Sequence, residues 1–97
     1  MKFISVLAIS VLFTPAAALA QSSTSVLFVG NSFTQGTGSP ARFYRADSVT
    51  DLNNEGIGGV PALFKAFTAQ VGLDYDVYVE TQPGSGLDFH IENRLGL

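Results

Sequence analysis

Three groups of residues in this chain have types and spacing that chemistry can use. Val26-Leu27-Phe28-Val29 runs directly into Gly30-Asn31-Ser32, so a hydroxyl follows at once on an apolar segment. A second glycine turn, Pro83-Gly84-Ser85-Gly86, comes later, and His90, the sole histidine, follows it. A serine placed where a strand turns into a helix exposes its hydroxyl at the sheet edge, beside backbone amides that the helix leaves unpaired. That combination suits acyl transfer, in which the hydroxyl attacks a carbonyl and the amides hold the oxyanion. The same spacing has a simpler reading, in which Ser32 or Thr34 caps the helix. Spacing alone favours the cap.

The other reactive side chains offer less. Asp88 and Glu92 flank His90 at i−2 and i+2, off its face of a helix, and make no triad with it. His90 therefore reads as a structural histidine, on a helix surface or partly buried. With no cysteine and no second histidine there is no metal-ligand spacing. The run GNSFTQGTG lacks the lysine of a phosphate-binding loop and is not a dinucleotide fingerprint, so no cofactor is expected.

The elements that must position these residues follow from pattern. The continuous apolar run Val26 to Val29 suits a strand buried on both faces. Residues 30–40 are turn-forming, Ala41 to Ala46 fits a short helical turn, and Ser48 to Gly59 reads as a polar loop whose Gly56-Ile57-Gly58-Gly59 supplies flexibility. A helix then starts near Pro61 and closes at Gly72, with Val60, Leu63, Phe64, Phe67 and Val71 on one apolar face. Lys65, Thr68 and Gln70 fall largely elsewhere on that wheel. Tyr75 to Thr81 is rich in β-branched and aromatic residues, as a strand is, with Asp74 and Asp76 at a solvated end. Leu87 to Leu95 reads as a further helix. Phe43, Tyr44, Phe64 and Phe67 are expected in the core or a pocket wall, and Phe33 in the core under the first turn. The order βαβα predicts an α/β fold with a parallel sheet and right-handed crossovers. Ligand sites in such sheets lie at the carboxyl ends of the strands. If the two strands are neighbours, the two glycine turns face one another across one crevice.

The N-terminus carries a different signal. Lys2, the apolar stretch Phe3 to Phe13 and Ala18-Leu19-Ala20 form a secretory signal-peptide pattern over residues 1–20, followed by a polar linker over 21–25. The apolar stretch is too short to span a bilayer of roughly 30 Å as a helix, so no stable membrane insertion is expected. The protein is expected to be secreted or periplasmic. Removal of the segment leaves 77 residues, enough for one small domain, and takes away Lys2, moving the net charge from −3 to −4. The basic residues are scattered, which argues against nucleic-acid binding.

Residues 26–36, VLFVGNSFTQG, resemble the first block of the SGNH (GDSL-like) hydrolase superfamily, in its Gly-Asn-Ser-Phe-Thr variant. TQPGSGLDFHIE resembles the second block, a glycine turn after the next core strand. The resemblance covers roughly residues 25–95. It implies a three-layer, parallel-sheet, flavodoxin-like hydrolase fold, of which residues 26–97 would be the N-terminal βαβα portion. It also implies that Ser32 is the nucleophile and an oxyanion N–H donor, and that Gly84 donates a second amide, with Gly86 the rival for that place. The implied substrate is a small-molecule or polysaccharide ester. The chain contains neither the family's Gly-x-Asn-Asp block nor its late Asp-x-x-His, so the general base and its orienting carboxylate are absent and these 97 residues are expected to be nearly inactive. The alternatives are a non-catalytic ligand- or carbohydrate-binding module, with Ser32 as a cap, and an unstable gene remnant.

Overall fold

The computed structural model describes residues 23–96, so the expected signal peptide and residues 21, 22 and 97 lie outside the described residues. The chain is a small α/β domain built on a three-stranded, all-parallel sheet. Strand β1 spans Thr24–Gly30 and leads through Asn31 into a single helical turn, α1, at Ser32–Gln35. Two short 3-10 turns, Pro40–Phe43 and Ala46–Ser48, carry the chain to a two-residue strand β2, Thr50–Asp51. Helix α2, Gly59–Gln70, crosses to β3, Tyr75–Thr81, and α3, Leu87–Asn93, follows the second glycine turn. The strand order is β1-β3-β2, with Val26 opposite Val77, Phe28 opposite Val79 and Gly30 opposite Thr81.

Strand alternation decides which side chains meet which helix. Phe64 of α2 packs its ring edge-on to Phe28, with centroids 5.3 Å apart, and against Tyr75 at 5.1 Å. The face carrying Phe28, Tyr75, Val77 and Val79 therefore lies under α2, and Val77 and Val79 are buried there. Glu80 projects to the opposite face, where α3 meets it. Helices thus cover both faces, but α3 reaches only the carboxyl ends of the strands. β1 is an edge strand with part of its second face open, and Leu27 is 44% exposed. The expectation of a strand buried on both faces applies to β3 and not to β1.

The structure corrects several sequence expectations. The segment Ser48 to Gly59 is not only loop: Thr50 and Asp51 pair in parallel with Tyr78 and Val79. Asp51 organises the segment after β2 by accepting hydrogen bonds from the amides of Asn53, Glu55 and Ile57. The Gly56-Ile57-Gly58-Gly59 run is a packing seam and not a flexible stretch, since Ile57, Gly58 and Gly59 are all buried. A Cβ at Gly58 would lie 1.8 Å from the Tyr44 carbonyl oxygen, and one at Gly59 would lie 2.6 Å from that of Thr34. Glycine is needed because two backbones approach within the space of a methyl group.

The buried face of α2 is also rotated from the expected one. Pro61 and Ala62 are buried, whereas Val60, Phe67 and Val71 are exposed, Val71 at 74%. Close approach of Gly58 to the Tyr44 backbone and of Gly59 to the Thr34 and Gln35 carbonyls draws the start of α2 against α1 and the segment between the two 3-10 turns, and those contacts set the helix rotation. Lys65 consequently reaches β3, its Nζ donating to the Tyr75 carbonyl. Phe43 and Phe67 are exposed and do not belong to the core, while Asp74 and Asp76 are solvated as expected. Among the described residues no helix is long and apolar enough to cross a membrane.

Gly59→Ala should destabilise the fold by at least about 2 kcal/mol, because it combines a backbone overlap with a φ of +59°. Gly56→Ala, with φ +71° but open space around it, should cost about 1 kcal/mol. Urea denaturation followed by circular dichroism measures both, and equal losses would contradict the packing seam.

Candidate functional site

The two glycine turns do face one another. β1 and β3 are paired, and both turns leave the same end of the sheet. The Asn31 side chain links them by donating from Nδ2 to the Ser85 carbonyl at 3.0 Å. Gln82 N–H extends the pairing by donating to the Gly30 carbonyl at 3.1 Å. Between the turns lies an open cleft of about 280 Å³, lined by residues that include Asn31, Thr34, Ser85, Gly86 and His90.

The first turn assigns its capping role to a residue that spacing did not single out. Asn31 is the N-cap of α1, and its Oδ1 accepts from Phe33 N–H at 3.0 Å. One asparagine thus uses both ends of its amide, one to cap and one to tie the turns. Ser32 is the first helical residue and is half-buried, and among the described residues no hydrogen bond engages its hydroxyl or its own N–H. Thr34 is not the cap either. Phe33 is 86% exposed beside Ser32, so the expected core packing under the turn does not occur. The turn is held by α1 against the seam, and Phe33 falls on the side facing away from it.

The second turn is built by Gln82-Pro83-Gly84-Ser85. Ser85 N–H donates to the Gln82 carbonyl at 3.3 Å, as does the Ser85 hydroxyl at 2.7 Å. Pro83 and Gly84 occupy the two central positions, and Gly84 has φ +73°, so the turn itself demands glycine there. A Cβ on Gly84 would meet nothing within 4 Å, so crowding is not the reason for the residue. Neither Ser32 nor Gly84 lines the cleft, although the neighbours of both do, and the rival glycine, Gly86, is a lining residue.

His90 is the main feature that local pattern did not reveal. It is a structural histidine, as expected, but only 1% exposed, with partners from three elements. Glu80 Oε2 lies 2.8 Å from Nδ1, the Gly30 carbonyl oxygen 2.8 Å from Nε2, and Ser85 Oγ 3.1 Å from Nε2. Glu80 is buried and held by donors on both oxygens: Asn53 Nδ2 gives to Oε1 at 2.9 Å, and Arg94 Nη1 to Oε2 at 3.2 Å. A carbonyl oxygen only accepts, so Nε2 carries hydrogen toward Gly30.

The alignment Ser85–His90–Glu80 has the outline of a nucleophile–base–carboxylate series, but its hydrogen bonds run the wrong way. Ser85 directs its proton at the Gln82 carbonyl, and His90 Nε2 has no lone pair free to take one. Among the described residues no side chain is hydrogen-bonded to the Ser32 hydroxyl as a general base would be. No group of three or more His, Cys, Asp or Glu is arranged to hold a metal among them.

Gln35 completes the inner polar set. It is fully buried, its Nε2 donating to Thr81 Oγ1 at 2.9 Å and its Oε1 accepting from Thr37 Oγ1 at 3.1 Å. The signal for Glu80 was present in the sequence as an acid near the carboxyl end of the strand, away from the solvated end that carries Asp76 and followed by the second glycine turn. Nothing local marked Gln35 or Asn53.

Comparison of the chain with protein-family models, with curated proteins and with solved structures finds no match in any of the three.

If Asn31 is the cap, Asn31→Ala should cost about 1 kcal/mol or somewhat more, since it removes the cap and the tie to Ser85 together. Ser32→Ala should stay within about 0.5 kcal/mol of the parent. Thermal unfolding of the two variants checks this, and a larger loss at Ser32 would restore the capping reading.

Proposed function

We propose that this chain carries the nucleophile half of a serine hydrolase acting on ester or other acyl bonds, in the manner of the SGNH superfamily, and that it works outside the cytoplasm or in a periplasm. The observation that carries the reading is the division of labour at the first turn. Asn31 supplies the cap and the tie between turns, which leaves the Ser32 hydroxyl and amide without partners among the described residues. A serine whose hydroxyl and amide carry no structural hydrogen bond, at the carboxyl end of a parallel strand and next to a cleft, is the arrangement that acyl transfer uses.

In this mechanism Ser32 Oγ attacks the carbonyl carbon of a small-molecule or polysaccharide ester. The oxyanion is met by the Ser32 N–H and by an amide of the second turn, from Gly84 in the register the family resemblance implies. The alkoxide leaves with the proton of the serine hydroxyl, and water then releases the acid from the acyl-enzyme. The base that would carry those protons is not among the described residues, since His90 is committed to Glu80 and Gly30. Activity of the 97-residue chain is therefore expected to be weak, sustained by positioning and the amide dipoles alone. The same commitment of His90 favours, as the second reading, a binding module without turnover.

Prolonged treatment with a saturating serine-directed fluorophosphonate, followed by peptide mapping, tests the assignment. Slow labelling at Ser32 is expected, absent in Ser32→Ala and still present in Ser85→Ala. Labelling that persists in Ser32→Ala, or that maps to Ser85, overturns the nucleophile assignment. No labelling of the parent chain overturns the hydrolase in favour of the binding module.

A further inference from the structure

The Gly30 carbonyl receives two donors, and only one of them belongs to the sheet. Gln82 N–H at 3.1 Å continues the parallel ladder, while His90 Nε2 at 2.8 Å arrives from α3, sixty residues away in sequence. This carbonyl belongs to the peptide joining Gly30 to Asn31, so fixing its direction fixes the plane from which the chain enters the Ser32 turn. Asn31 fixes the next step, with Nδ2 held by the Ser85 carbonyl and Oδ1 on Phe33 N–H. Ser32 is thus oriented by restraints on both sides of a single residue. The imidazole cannot swing away, because Glu80 holds Nδ1 and is itself held by Asn53 and Arg94.

We propose that His90 is a positioning residue for Ser32, its Nε2–H anchoring the Gly30 carbonyl while Glu80 locks the ring. The proposal rests on the reading of Ser32 as nucleophile for its catalytic meaning, and on the hydrogen bond alone for its structural meaning. Other roles for this histidine fit the geometry less well. A base for Ser85 needs a lone pair that Nε2 does not have free, and a ring present only to fill space needs no nitrogen at either position. The arrangement resembles the way a second hydrogen bond fixes a functional imidazole, with the backbone of the nucleophile turn as the group being positioned. Misplacement of a reacting atom by about 1 Å can cost on the order of a hundredfold in rate, so a single bond at this carbonyl has leverage.

Two measurements on the intact chain test the inference. In protein labelled with carbon-13 and nitrogen-15, a through-hydrogen-bond coupling between His90 Nε2 and the Gly30 carbonyl carbon is expected, and its absence overturns the proposal whatever Ser32 does. In the second, the rate of fluorophosphonate labelling at Ser32 is compared across His90 variants. His90→Phe removes both nitrogens while keeping a ring, and it should slow labelling about tenfold or more and move the Asn31 and Ser32 amide resonances. His90→Gln keeps an N–H donor near the Nε2 position and should recover most of the rate. Parent-like labelling and unmoved amides in His90→Phe overturn the proposal, as does a glutamine variant no better than phenylalanine. If the phenylalanine variant does not fold, the coupling in the parent and the glutamine variant's resonances decide. Failure of the parent to label at Ser32 sinks the hydrolase reading and leaves the positioning of the turn to the coupling.

Discussion

The buried Glu80–His90 pair is the interaction on which the rest of this small structure depends. It joins β3 to α3, and through the Gly30 carbonyl it joins both to the end of β1. Arg94 and Asn53 close the network from the end of α3 and from the loop after β2. A charge taken out of water is costly unless it is paired and hydrogen-bonded. Here both carboxyl oxygens of Glu80 have hydrogen-bond partners, as does each ring nitrogen of His90. Removing Glu80 would leave Nδ1 of the buried His90 without its partner, so the pair favours one arrangement of β1, β3 and α3.

Such a device has weight in a chain with little apolar interior. Among the described residues, the buried apolar side chains include Ile57, Pro61, Ala62, Val77 and Val79, and Gln35, Glu80, Thr81 and His90 are buried beside them. Nearly half of this set is polar, so satisfied hydrogen bonds contribute to specificity alongside packed volume. The glycine seam serves the same economy. Where α2 has few large side chains to bury, Gly58 meets the Tyr44 backbone and Gly59 meets that of α1, the turn that begins with Ser32.

The features legible in the sequence divide from the others along physical lines. The strand Tyr75–Thr81 was legible to the residue, because β-branched and aromatic alternation reports a pleated, half-buried surface directly. The paired glycine turns and their common end of the sheet were legible from element order. The face of α2 was not: Val60, Phe67 and Val71 made the stronger apolar stripe, yet the close contact at Gly58 and Gly59 turned Pro61 and Ala62 inward. Phe33 and Phe43 misled for a related reason, since hydrophobicity states a preference for burial and not the presence of a surface to bury against. Ser32 and Thr34 were plausible caps by residue type, and Asn31 took the role because its backbone is extended immediately before the helix, with φ −134°.

The sequence by itself determined the alternation of strand and helix, the positions of the two turns, and a serine at the turn from the first strand into a helix. Those properties depend on residues near one another in the chain, where periodicity and turn chemistry operate. Tertiary structure alone decided that Gly30, Asn53, Glu80, His90 and Arg94 meet. Their meeting depends on strand order, on which face each alternate side chain of β3 presents, and on where α3 lands. None of these is a local property, and so the only histidine, unremarkable in its own helix, became the link between the two turns.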